Sequence, residues 1–321
     1  MNAPGKLFSN IGPLALLVVT VLVCGLIDPR ILAPENLINV LAQSVPVLML
    51  ALGAFIVLVT AGIDLSAGVA VTLGSIVVAS LLTAGVDLPV ALGGGLLSVL
   101  AIGFVNGALV SILRIPAFVS TLATMSCIQG LSLLMAKRGV YVLSDPTLKF
   151  LGITRLGNVP VLLIFAALVV LVAYVLMHHT RFGLRVYATG SDPAAAALAN
   201  VPTGRIYLLT YVVAAGFTFM SVVTLIARTP IVTPNLGGQS LLLDAIAACV
   251  LGGTSIFGGR GAVMGVVMGT LIVGLFSNAL RVVGIDPSSL DLMKGTLVIA
   301  ALLCDAGMLS VRRKVFKEHA N

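Results

Sequence analysis

Apolar segments of about twenty residues recur along the whole chain. They are bracketed at 11–27, 37–61, 65–83, 88–112, 116–136, 158–177, 206–227, 241–256, 262–283 and 291–309. A run of about 20 apolar residues spans a hydrocarbon core of roughly 30 Å as a helix. Of the 321 residues, 59% are hydrophobic and 9% are charged. Soluble domains carry about 25% charged residues, so these charges are too few to cover a water-facing surface. The expectation is an all-α polytopic membrane protein with about ten transmembrane helices. It forms a single transmembrane domain over 1–321, with halves of about 1–157 and 158–321. A transmembrane β-barrel would instead show short alternating segments. Lys6 and the apolar run to Ile27 resemble a signal peptide, but no small-x-small site follows, so this run reads as the first span.

The net charge is +7, from 18 Lys and Arg against 11 Asp and Glu. In a lipid-embedded chain this excess reads as orientation at segment ends, with no nucleic-acid partner. Arg181, Arg185 and Arg205 lie in the 178–205 connection, and Arg312, Arg313, Lys314 and Lys317 in the tail. With ten spans, these segments and both termini fall on the cytoplasmic side. Lys137, Arg138, Lys149 and Arg155 of 137–157 fall outside and oppose the bias. Cys24, Cys127, Cys249 and Cys304 all sit in apolar segments without CxxC spacing and read as small buried hydrophobes. His178 and His179, beside Arg181 and with no third ligand nearby, read as interfacial polar residues rather than a metal site.

Polar breaks in the apolar pattern are the candidate functional positions. "TAGIDLSAGVAVTLGS" (60–75) places Asp64 and Ser66 between two spans, after Gly62. Either side chain suits the free N–H groups of the following helix. A Gly-interrupted segment also suits a helix break that lines a path. "LGGTSIFGGRG" (251–261) holds Thr254 and Ser255 and echoes that pattern in the second half. "NGALVSILRIPAFVSTL" (106–122) and "SNALRVVGIDPSSLDLM" (277–293) echo one another as well. Two halves of five spans each must be inverted, as in many transporters. Asn106 and Asn278 read as interhelical hydrogen-bonding residues. Asp244 reads as a cap near a helix start, and Lys294 as a side chain snorkelling from a span end. Asp64, Ser66, Asn106, Asp244, Thr254, Ser255 and Asn278 are the candidate translocation-path residues.

"GSDPAAAALAN" (190–200) has another character. Ser191 or Asp192 suits a helix cap, Pro193 a first helical position, and Ala194 to Ala199 a helix interior. A helix of about two turns outside the bilayer is expected, with small side chains that let a partner approach. No G-x-x-x-x-G-K-[ST], Ser/His/Asp grouping or metal-ligand spacing occurs. No enzymatic activity and no cofactor are expected.

"TAGIDLSAG", "LDAIAACVLGGTSIFGGRG" and "HHTRFGLRVYATGSDPAAAALANV" together resemble the permease subunits of bacterial ABC importers for ribose, xylose and arabinose. The resemblance implies the inner-membrane subunit of an ATP-driven importer that translocates a small sugar or sugar-like solute. It also implies an extracytoplasmic solute-binding protein, a second permease copy, and a cytoplasmic ATPase. The ATPase would dock on Gly190, Ser191, Asp192, Pro193, Ala194, Ala195, Ala196 and Leu198. The chain departs from the family pattern in three places: Leu242 replaces a Glu, Asp192–Ala195 replace Asn-Glu-Ala-Ala, and Asn200-Val201 replace Gly-Ile. The solute therefore stays open. Alternatives are a branched-chain amino acid or nucleoside permease of the same type, an ion-coupled secondary transporter, and a passive channel. Few intramembrane acids and a docking loop favour the ATP-driven reading. With no Trp and only five Tyr, the chain has few rings for a sugar to stack on, which suits selection by a separate receptor.

Overall fold

A backbone in hydrocarbon must satisfy its own N–H and C=O groups, and a helix does so within one segment. The computed structural model describes residues 4–136, 139–285, 289 and 292–296, with side chains from Gly12 onward. The first nine apolar segments are helical there: α1 Pro4–Ile27, α2 Pro34–Val59, α3 Ala67–Thr83, α4 Leu88–Ser111, α5 Ala117–Met135, α7 Val161–His179, α10 Thr203–Arg228, α11 Gly238–Leu251 and α12 Val263–Val282. Three further helices join them, α6 Pro146–Ile153, α8 Arg181–Ser191 and α9 Pro193–Leu198. Lys137, Arg138, Cys304, the tail and all but 292–296 of the tenth segment lie outside the described residues.

α2, α4, α5, α7, α10 and α12 are long and apolar enough to cross a membrane. α3 and α11 have 17 and 14 residues, or about 25 and 21 Å at 1.5 Å per residue. Each falls short of the roughly 30 Å core, so each needs a non-helical approach at one end. These approaches build the candidate site.

α2 and α10 pack against each other at the centre. α10 also packs on α3 and α4, and α2 on α11 and α12. Phe55 and Ile56 of α2 and Val222 and Ile226 of α10 are buried in this core. Lipid tails are as apolar as leucine, so close backbone approach must hold the bundle together. Glycines supply it: a Cβ built on Gly252 would enter the carbonyl of Gly265, and the reverse also holds. Leu168, Leu171 and Val172 of α7 face outward, as lipid-facing residues do. Pro46 interrupts α2, and its carbonyl accepts the Ser221 hydroxyl of α10 at 2.8 Å.

Residues 139–157 carry more regular structure than their loop-like sequence suggests. Strand β1 (Tyr141–Val142) pairs antiparallel with β4 (Ile231–Val232), in the register Tyr141↔Val232. α6, capped by Asp145, packs on α10, and Gly152 lies against the Ala227 carbonyl. A hairpin follows, with β2 (Arg155–Leu156) on β3 (Val159–Pro160) around Gly157 at φ 62°. This cap holds the connection that leads into α11. Cys24 and Cys249 are buried as expected, but Cys127 is exposed on α5.

The glycine contacts predict an asymmetric response to added methyl groups. Gly265→Ala overpacks the α11–α12 crossing and costs about 1–3 kcal/mol. It should lower the unfolding temperature in detergent. Gly216→Ala, at a position with nothing within 4 Å, should not.

Candidate functional site

The N-terminal ends of α3 and α11 meet. A Cβ on Gly68 would enter the Gly238 carbonyl, and one on Gly237 would approach the Gly68 carbonyl at 3.4 Å. Thr72 stitches the contact: its hydroxyl donates to the Leu236 carbonyl and accepts the Gly238 N–H at 3.2 Å. Gly237 and Gly238 have φ of 88° and 47°, a left-handed turn that an L side chain would strain. Beside the junction is a cavity of about 230 Å³. Val69 and Thr72 of α3, Gln129 and Ser132 of α5, and Asn235 and Gln239 before and in α11 line it. The polar lining is neutral amide and hydroxyl. The sequence reading missed Gln129, Asn235 and Gln239. Amides at positions 129 and 239, inside or beside apolar segments, were the available signal.

The other break is held from α4. Asn106 Nδ2 donates to Ser66 Oγ at 2.8 Å, and Ser66 Oγ donates to Asp64 Oδ1 at 2.6 Å. The same Oδ1 accepts the Ser66 N–H at 2.9 Å. Asp64 therefore closes the turn before α3, while Ser66 makes no side-chain cap bond and relays to α4. Thr121 of α5 donates to the Ile63 carbonyl at 3.0 Å. Ala61 takes φ 59°, and a Cβ on Gly62 would stand 3.1 Å from the Tyr211 hydroxyl.

Asp244 and Asn278 lie apart from this chain of contacts. Asp244 is inside α11 rather than at its start, and Lys294 Nζ pairs with its Oδ2 at 2.9 Å. The cap and snorkel expectations for these two residues therefore give way to a partly buried ion pair. A charge in a bundle interior needs a partner. Asp244, Gln43, Ser44, Thr270, Ser277 and Arg281 line a small cavity of about 50 Å³. Asn278 exchanges two hydrogen bonds with Asn36 of α2, at 2.8 and 3.2 Å, and so joins two helices as expected.

Thr254 and Ser255 occupy the α11–α12 connection. Ser255 Oγ accepts the Phe257 N–H at 3.2 Å, and Thr254 lies beside Gly261. This loop touches the end of α2: Gly259 N–H donates to the Val59 carbonyl at 2.8 Å. "GGTSIFGG" and "AGIDLS" thus meet at one end of the bundle. Motifs related by the two-fold axis of an inverted repeat would lie at opposite ends, so this echo is not a repeat pair. At the same end, Thr180 caps α8 and Asp192 caps α9, accepting the N–H groups of Ala194 and Ala195 at 2.9 and 3.0 Å. α9 presents Pro193, Ala194, Ala195 and Leu198 outward, with Ala196 buried and Leu198 90% exposed. Tyr187 of α8 donates to the Gly261 carbonyl at 2.9 Å. Burial pushes its phenol up to about 12, so it stays a neutral donor.

The Asp64 turn is testable by stability. Asp64→Ala removes the acceptor that closes the turn and should cost about 0.5–2 kcal/mol in detergent unfolding. Ser66→Ala and Asn106→Ala share one relay and should couple by about 0.5–3 kcal/mol in a double-mutant cycle. Strict additivity would mean the relay has no energetic content.

Residues 36–302, which contain both breaks, the cavity and α8–α9, match the family described as "Branched-chain amino acid transport system / permease component". The ribose import permease protein of Bacillus subtilis is 33% identical over 310 residues, 92% of each chain. The D-allose transport system permease protein of Escherichia coli is 31% identical over 297 residues, 92% of this chain and 90% of its own. The galactose/methyl galactoside import permease protein of Haemophilus influenzae is 31% identical over 323 residues, 94% of this chain and 96% of its own. No solved structure matches. The family-level resemblance seen in the three motifs holds, and the chain, a multi-pass protein of the inner membrane, belongs to the family of branched-chain amino acid transport system permease components.

Proposed function

We propose that this chain is the membrane-spanning permease of an ATP-driven importer for a monosaccharide, with the solute passing through the cavity at the α3–α11 junction. The cavity lining carries the substrate class. Thr72, Gln129, Ser132, Asn235 and Gln239 offer donors and acceptors without charge. Such a lining suits a neutral polyhydroxylated solute. An amino acid would bring an ammonium and a carboxylate, and no charged side chain lines the cavity among the described residues. The names of the ribose, allose and galactose relatives support the same reading.

The arrangement supports a fold of two inverted halves and ten spans, the tenth over 291–309. α2 corresponds to α10, α3 to α11 and α4 to α12. This pairing accounts for α10 packing on α3 and α4 while α2 packs on α11 and α12. It also makes the α2–α3 break the counterpart of the α10–α11 connection. Two short helices then start from opposite sides and meet at Gly68 and Gly238, as in other broken-helix transporters. The end bearing α8 and α9 is cytoplasmic, as are both termini, and α9 docks the ATPase subunit. A solute-binding protein delivers sugar at the opposite end, and a second permease copy completes the transporter.

Reconstitution with the cognate ATPase and binding protein tests the reading. Uptake of labelled monosaccharide should require ATP, and leucine should not compete. ATP-dependent leucine uptake would overturn the sugar assignment. Asn235→Ala or Gln239→Ala removes a hydrogen bond worth about 0.5–1.5 kcal/mol. Uptake at limiting sugar should fall by about 2- to 12-fold. Ala195→Glu should release the ATPase from membranes that still contain the permease.

A further inference from the structure

Three segments from distant parts of the chain meet backbone to backbone at the α8–α9 end. Gly190, in the last turn of α8, lies so close to the end of α2 that a Cβ there would enter the Val59 carbonyl. That carbonyl already accepts the Gly259 N–H at 2.8 Å. A Cβ on Gly258 would stand 2.6 Å from the Gly190 carbonyl and 2.9 Å from Ala61. One on Gly259 would stand 2.5 Å from Ser191 Oγ. Gly258 and Gly259 have φ of 86° and 72°, which lets the loop fold into this space without side chains. One turn earlier on α8, the Tyr187 hydroxyl donates to the Gly261 carbonyl at 2.9 Å, so the last two turns of α8 hold the loop at two points.

The arrangement leaves little slack. Side chains absorb displacement by changing rotamer, whereas packed backbones shift together. Asp192 begins α9 directly after Ser191, so a push on α9 reaches Gly190 within two residues. Val59 lies five residues before Asp64, and Gly261 opens onto α12. We infer that Tyr187 and Gly190 are positioning residues of a clasp that delivers movement of α9 to the α2–α3 break and the α11–α12 loop at the same time. The inference rests on the reading of α9 as the ATPase-docking helix. It adds which residues carry the motion inward, and that both connections receive it together.

The test uses the assembled transporter in proteoliposomes, reading ATP hydrolysis and monosaccharide uptake on the same preparation. Tyr187→Phe keeps the ring and deletes only the hydroxyl that bonds Gly261. Gly190→Ala forces α8 away from Val59. Tyr187→Phe should keep the ATPase bound and hydrolysing while sugar transported per ATP falls several-fold. Gly190→Ala, in the segment expected to dock the ATPase although Gly190 itself is buried against Val59, should lower the same ratio counted per bound ATPase. A purely structural role would lower both activities in proportion to the amount of assembled protein. If Gly190→Ala does not insert, Tyr187→Phe decides alone. A Tyr187→Phe transporter with bound ATPase and the wild-type sugar-to-ATP ratio overturns the clasp and leaves the docking assignment intact. A wild-type permease from which no ATPase co-purifies overturns the docking assignment, and the clasp with it.

Discussion

The structure depends on contact between backbones that carry no side chain between them. Gly68 meets Gly238, Gly252 meets Gly265, and Gly190 meets Val59. In water such contacts would be minor beside hydrophobic burial. In a bilayer the apolar side chains gain little by leaving lipid for protein, so packing depth and internal hydrogen bonding carry the association. Glycine allows helix axes to approach until main-chain atoms touch. The same feature gives the fold its short helices: α3 and α11 can stop inside the bundle because a glycine-lined neighbour and the Thr72 hydroxyl meet their ends.

Short helices have a consequence for chemistry. Their N-terminal N–H groups have no intrahelical partner, and the chain leading to them must itself be non-helical. Such backbone is tolerated at membrane depth only where protein surrounds it or where it lines a cavity. Both conditions hold here. The Asp64 turn is satisfied by Ser66, Asn106 and Thr121. The 229–237 connection is fixed by β1 and by the Leu143 N–H, which donates to the Pro230 carbonyl, and it borders the larger cavity.

Charge is used sparingly. Among the described residues, the ion pairs are Arg30–Asp28 at an exposed turn and Lys294–Asp244 inside the bundle. Asp244 of the second lines a small cavity with Gln43 and Arg281, which are themselves hydrogen-bonded at 3.2 Å. The larger cavity has no such charges. This separation of ionic and neutral polar regions sets the two cavities apart more clearly than their sizes do.

Much of this was legible in the sequence. Helix positions follow from runs of apolar residues, and the N-cap at Asp192 from a carboxylate followed by proline. α9 was readable because its determinants are local: one cap, one proline and a stretch of alanines. The partners of Asp244 and Asn278 were not, since an ion pair across 50 positions and an amide pair across 242 leave no local trace. The pairing of the two breaks was misread for the same reason. "AGIDLS" and "GGTSIFGG" look alike because close backbone contact selects glycine wherever it occurs, and composition alone does not distinguish symmetry mates from neighbours. Helix content and lipid as solvent were determined by the sequence, because both depend on what each segment exposes. The tertiary structure decided which helix ends meet, which amides share a cavity and where α8 rests, because those depend on contacts between segments far apart in the chain.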